Sequence, residues 1–215
     1  MIFRFDLKIF LFLIIFYFTK QLEIYSLIMI FAFIHEISHV IAGILLKMKP
    51  IKISIMPVGF SVEFKLNVED YNKKVLKSNK LDVKRIIVSL AGPISNIVII
   101  IIVCLMKINI KLQMLIIYAN LIIAIFNLIP IYPLDGGRVL KAILSLIFNK
   151  KNANIYMYRI SNVFLFIITF LFSILIYYYK NISFLFVIIY LWYIVMRENK
   201  IYMMKNRVYR MIEKW

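Results

Sequence analysis

The chain has 215 residues, 64% of them hydrophobic, and 27 basic against 10 acidic side chains give it a net charge of +17. Soluble domains run near half apolar and about a quarter charged, whereas this chain is 17% charged with a mean hydropathy of +0.91. That balance excludes a soluble globular enzyme, and a single cysteine, Cys104 in an isoleucine run, excludes an internal disulfide framework.

Apolar windows predict six membrane spans. The first covers about Phe3 to Phe18, where Arg4, Asp6 and Lys8 have to snorkel or lie at the interface. Its basic start imitates a signal peptide, but "TKQLEIYS" offers no small-residue cleavage site, so it reads as a retained span. The second span runs from about Leu22 to Leu46. After it, "IKISIMPVGFSVEFKL" alternates apolar and polar residues around Pro57-Val58-Gly59, which predicts a small membrane-associated β-hairpin over about 51–66. The third span is Ile86 to Met106, and the fourth is about Leu112 to Ile131, broken near its end by Pro130. The fifth and sixth are about Val163 to Tyr179 and Ile182 to Met196. Beyond them, Ile201, Met204, Val208, Met211 and Trp215 share one face of a basic amphipathic tail suited to a membrane surface. The expected fold class is an all-α polytopic membrane protein, with a membrane domain over 1–196 and a cytoplasmic tail over 197–215.

Charge placement sets the orientation. With the N-terminus inside, 23 of the 27 Lys and Arg residues fall on cytoplasmic segments, and the outer loops carry only Lys20, Lys107, Lys111 and Lys180. The positive-inside rule then predicts that both termini are cytoplasmic. The same bias accounts for the net charge with the lipid bilayer as partner and no nucleic acid.

The segment "FIHEISHVIAGILLK" places His35, Glu36 and His39 within the second span. Each ionisable group at a helix centre costs about 2.5–3.5 kcal/mol even on lenient insertion scales. Residues four apart lie on one helix face, so His35 and His39 can face one metal ion. Glu36 follows one step on, in reach of a water held there, which is the HExxH arrangement of two imidazole ligands and a general base. A membrane histidine is ordinarily a hydrogen-bonded packing residue, but this chain has only two and both are in the motif. A catalytic zinc takes three protein ligands and keeps an open position. Apart from Glu36, every other acidic residue except Asp135 lies in a loop, a tail or a span edge. Asp135, in "NLIPIYPLDGGRVL", reads alone as an ordinary Asp-Gly turn. Topology changes that reading. His39 lies eight residues before Lys47, about 12 Å above that end of the span. A fourth span broken by Pro130 and Pro133 can turn back and present Asp135 at the same depth.

Together "HEISH", "AGPISN" and "NLIPIYPLDGGR" resemble the site-2 protease family of intramembrane zinc metalloproteases, in the branch of stage IV sporulation protein FB. The resemblance extends through the "MPVGFSVEF" hairpin. It implies one Zn2+ per chain held by His35, His39 and Asp135, with Glu36 as catalytic base. It also implies that Asn127 contacts substrate backbone, an assignment that an interhelical hydrogen bond rivals. Asn96, with Ser95, Gly92 and Ala91, makes a small polar face suited to helix packing first and substrate contact second. The implied activity is metalloendopeptidase cleavage of a membrane-tethered protein near the cytoplasmic face. For the branch, that substrate is a sporulation sigma factor precursor, with inhibitory membrane proteins as further partners and the bacterial cell or forespore-surrounding membrane as location. The chain departs from the branch in having about nineteen residues after Met196, too few for a nucleotide-binding CBS domain, and it has no room for a PDZ domain. A divalent-cation transporter with ligands on broken helices and a catalytically silent scaffold are the alternatives.

Overall fold

The computed structural model describes residues 2–5, 17–18, 22–56, 59–64, 79–148 and 150–212. They form two compact units that part between Leu128 and Ile129. The first unit holds β1 (Ile2–Phe5), α1 (Leu22–Leu45), β2 (Pro50–Met56), β3 (Gly59–Phe64), α2 (Asn79–Leu105) and α3 (Ile110–Leu128). The second holds α4 (Asp135–Ile147), α5 (Lys150–Tyr179) and α6 (Ser183–Ile212).

Among the described residues, four helices are long and apolar enough to cross a membrane: Leu22–Leu45, Lys80–Leu105, Ile110–Leu128 and Lys150–Tyr179. The chain is an integral membrane protein. One of the six expected spans needs correction, at its start. Ile2–Phe5 is a strand that pairs parallel with β2 rather than the start of a helix, and 6–16 lie outside the described residues. The sixth expected span opens α6, but only about fourteen apolar residues precede Arg197, roughly 21 Å of helix against a hydrocarbon core of about 30 Å. Helix α6 continues without a break through 196–197 to Ile212, and Trp215 lies outside the described residues.

The sheet of the first unit has the order β1-β2-β3. Strands β2 and β3 pair antiparallel, with Ile53 opposite Val62 and Ile55 opposite Phe60, and a register irregularity falls between Pro50 and Lys52. Pro57 and Val58, the centre of the expected turn, lie outside the described residues.

The helices are inside-out by the standard of a soluble protein. On α1, Ile30, Ile34, Ile37, Ile41 and Ile44 are exposed, while Tyr25, Ala32, His35, His39 and Gly43 are buried. Lipid is as apolar as leucine, so large aliphatic side chains gain nothing by turning inward, and small or polar residues take the helix contacts. On α3, Ala119, Asn120, Ile123 and Ala124 are buried and Ile122 and Ile125 face out. Helices α1, α2 and α3 pack on one another.

Helix ends follow local chemistry. Asn109 caps α3, its side-chain oxygen accepting from the Lys111 N–H at 2.9 Å. Helix α1 ends in a Schellman turn: the Met48 N–H reaches the Gly43 carbonyl and the Lys47 N–H reaches that of Ile44. Lys47 takes the left-handed position at φ 59°, and buried Met48 secures the turn. In the second unit α5 packs on both α4 and α6. Trp192 donates to Thr169 Oγ1 at 3.0 Å and Asn199 donates to Asn162 at 2.9 Å, tying α6 to α5 at two levels.

Candidate metal centre

His35 and His39 are 1% and 2% exposed, one turn apart on the inner face of α1. Their partners come from α2. His39 Nδ1 lies 2.6 Å from the main-chain carbonyl of Val88. A carbonyl only accepts, so His39 carries its proton on Nδ1. His35 Nδ1 lies 3.0 Å from Asn96 Oδ1, and Asn96 Nδ2 donates to the main-chain carbonyl of Asn120 at 3.3 Å. That second carbonyl fixes which way the Asn96 amide points, so His35 too is protonated on Nδ1. The two Nε2 lone pairs therefore face the same space, with the nitrogens 3.2 Å apart. Lone pairs so close repel unless they share a proton or a metal cation. Two nitrogens bonded at about 2.0–2.1 Å to one tetrahedral zinc would stand roughly 3.3–3.4 Å apart. Metal-bound histidines characteristically donate their other N–H to a carbonyl or carboxylate, as both do here.

The absence of a side chain at Gly92 lets both rings lie against α2. A Cβ on Gly92 would come within 2.5 Å of both Nε2 atoms. Two imidazole nitrogens turned toward one point are donors that fit a metal. Pro93, the next residue, is buried within α2. Its ring nitrogen has no hydrogen to return to the Ser89 carbonyl, next to the Val88 carbonyl that His39 uses. Glu36, half-buried, is one residue from His35 and so about 100° around α1.

Both polar ends of Asn96 are engaged within the protein, at His35 and at the Asn120 carbonyl. Asn127 lies two turns beyond Asn120 on the same side of α3, where its Nδ2 donates to the Ile123 carbonyl at 3.0 Å. Its carboxamide thereby satisfies its own helix on one side. Sequence reasoning passed over Asn120, although it too is a polar residue in an apolar span, and gave Gly92 only a packing role.

Asp135, in the second unit, is 5% exposed and is the first residue of α4. The positive end of the helix dipole favours a carboxylate there, and Arg138 Nη1 stands 3.8 Å from its Oδ1. The preceding turn is held by the Leu134 N–H on the Ile131 carbonyl and by the Tyr132 N–H on Ser161 Oγ, at 2.8 and 3.1 Å. Tyr132–Pro133 is cis. Gly137 lets α4 lie against this turn, since a Cβ would meet main-chain atoms of Ile131 and Tyr132.

Residues 106–171, from the end of α2 through Asp135 into α5, match the model of Peptidase family M50. The chain resembles the site-2 proteases. Its fold matches that of the site-2 protease from Methanocaldococcus jannaschii with a TM-score of 0.62 and 22% identity, over 91% of this chain and 89% of that one. No curated protein matches the chain.

Proposed function

We propose that the chain is an intramembrane zinc endopeptidase of the site-2 protease type that cuts a membrane-tethered protein near the cytoplasmic face. The observation that carries this reading is the pair of buried imidazoles, both protonated on Nδ1, with Nε2 atoms 3.2 Å apart beside Gly92. Asp135 is the third ligand in this reading. It is supported by being a buried carboxylate at a helix start, inside the segment similar to peptidase family M50. Bound zinc would polarise the scissile carbonyl and make water a nucleophile at neutral pH.

The other steps belong to the chain. Glu36 takes a proton from the attacking water and delivers it to the leaving amine nitrogen, a shuttle its half-buried position suits. The buried inner face of α1 keeps bulk water from the ligands. Asn127 contacts the substrate main chain. Counted over the six expected spans, the charge asymmetry supports cytoplasmic termini. Following the resemblance to the sporulation branch, the substrate is a sigma factor precursor, and inhibitory membrane proteins restrain the enzyme until cleavage is due.

The test is zinc content and proteolysis measured together. Wild type and Glu36→Gln should each bind close to one zinc per chain, and His39→Ala and Asp135→Asn should lose it. In proteoliposomes, wild type should cut a single-span reporter and Glu36→Gln should not. Zinc content indifferent to all three substitutions would overturn the site, and cleavage retained by Glu36→Gln would overturn the role of the base. Zinc flux across the vesicle without cleavage would point to a transporter.

A further inference from the structure

We propose that Asn96 is a positioning residue that sets the tautomer and ring orientation of His35, anchored for that task by the main chain of α3. The inference rests on the reading of His35 as a metal ligand. Asn96 is fully buried in α2, and its amide lies between two helices. At one end Nδ2 meets the Asn120 carbonyl of α3 at 3.3 Å, and at the other Oδ1 meets His35 Nδ1 of α1 at 3.0 Å. Ser95 Oγ is a distant second donor to Oδ1 at 3.5 Å.

The directional logic starts at the backbone. A carbonyl cannot donate, so the amide must turn its NH2 toward Asn120 and its oxygen toward His35. That oxygen can only accept, so His35 Nδ1 holds a proton and Nε2 holds the lone pair. His39 is set the same way in one step by Val88. One ligand is therefore oriented directly by main chain and the other through a single side chain. A metal-ligating histidine with its outer partner removed typically loses 10–100-fold in metal affinity. Asn96 touches neither the metal nor the reacting bond, and its effect passes through His35.

The experiment is a chelator-competition measurement of zinc affinity on detergent-purified full chain, with the visible spectrum of the cobalt-substituted protein as second readout. The variants are Asn96→Leu, Asn96→Asp and His39→Ala. Asn96→Leu should weaken zinc binding about 10–100-fold and alter the cobalt ligand-field bands. Asn96→Asp keeps an acceptor toward His35 and should restore both readouts toward wild type. If Asn96→Leu does not fold, Asn96→Ser, too short to span to His35, carries the same expectation.

Zinc lost in His39→Ala but bound with wild-type affinity by Asn96→Leu or Asn96→Ser would overturn the positioning role and leave the ligand reading standing. A raised KM at unchanged zinc affinity would also overturn it, in favour of direct substrate contact. A wild type that binds no zinc would overturn the ligand reading, and this inference with it.

Discussion

Adding one methyl group at Gly92 tests the metal centre without removing any functional group. A Cβ there stands 2.5 Å from the Nε2 of each histidine, roughly 1 Å inside the ~3.5 Å of an ordinary contact. Neither ring can swing away freely, because His39 is held at 2.6 Å by the Val88 carbonyl and His35 at 3.0 Å by Asn96. Both of those partners sit on α2 with Gly92, so backing α2 off by the missing distance stretches both bonds together. Overpacking of this kind costs about 1–3 kcal/mol of stability. A stretched imidazole bond also lowers metal affinity, by up to the 10–100-fold range of a lost outer partner. Gly92→Ala is thus expected to melt earlier in detergent and to bind zinc at least about tenfold more weakly. Gly43→Ala is the matched control: its Cβ would run into the Phe64 ring on β3, so it overpacks α1 without touching either histidine. It should lose stability and keep its zinc affinity. Wild-type zinc affinity in Gly92→Ala would refute the reading that the close packing of both rings against Gly92 sets the metal affinity.

Three further substitutions probe local packing within each unit. Gly137→Ala drives a Cβ into the main chain of Ile131 and Tyr132, which cannot rotate away as a side chain can. It should lie at or above the upper end of the ~1–3 kcal/mol overpacking range and exceed Gly43→Ala, as read by thermal melting. Ser161→Ala removes the acceptor of the Tyr132 N–H in a buried turn and should cost about 1–3 kcal/mol, checked the same way. Asn120→Leu should leave stability unchanged or raise it by up to about 1–3 kcal/mol, because Asn120 Oδ1 is buried without a partner and its Nδ2 bonds only to its own helix. Its zinc affinity should equal that of wild type, since the anchor of Asn96 is the Asn120 main-chain carbonyl and not the side chain.

Sequence made the pair legible because HExxH is local. Two histidines four apart need nothing but a helix to share a face, and α1 supplies it. The partners of those rings were not legible, since Asn96 lies 61 positions from His35 and 24 from Asn120. Such contacts exist only once α1, α2 and α3 have packed, and no periodicity records them. One signal was available. Asn120 and Asn127 are seven apart, hence nearly on one face of α3, and two amides aligned in an apolar span mark the side that turns toward other helices. The start of the first span was misread for a different reason. Hydropathy windows average over "IFRFDLKI" and register an apolar start, whereas Phe3, Phe5 and Leu7 alternate with Arg4, Asp6 and Lys8, the period of a strand. β1 is the outcome over Ile2–Phe5.

On the inner faces of α1, α2 and α3, several side-chain hydrogen bonds end on main chain. His39 ends on Val88, while His35 runs through Asn96 to Asn120, and the Asn120 and Asn127 amides end on Ile116 and Ile123. A carbonyl survives any substitution except a backbone shift. The Nδ1 contact of His39 is therefore insensitive to most side-chain changes nearby, whereas that of His35 passes through a mutable side chain. If the two histidines hold one metal, its affinity depends unequally on their Nδ1 partners: conservative changes at Val88 should be tolerated, and the corresponding vulnerability falls on Asn96. A scan that found Val88 as sensitive as Asn96 to apolar replacement would contradict this, because Val88→Leu or Val88→Ile keeps the carbonyl that His39 needs.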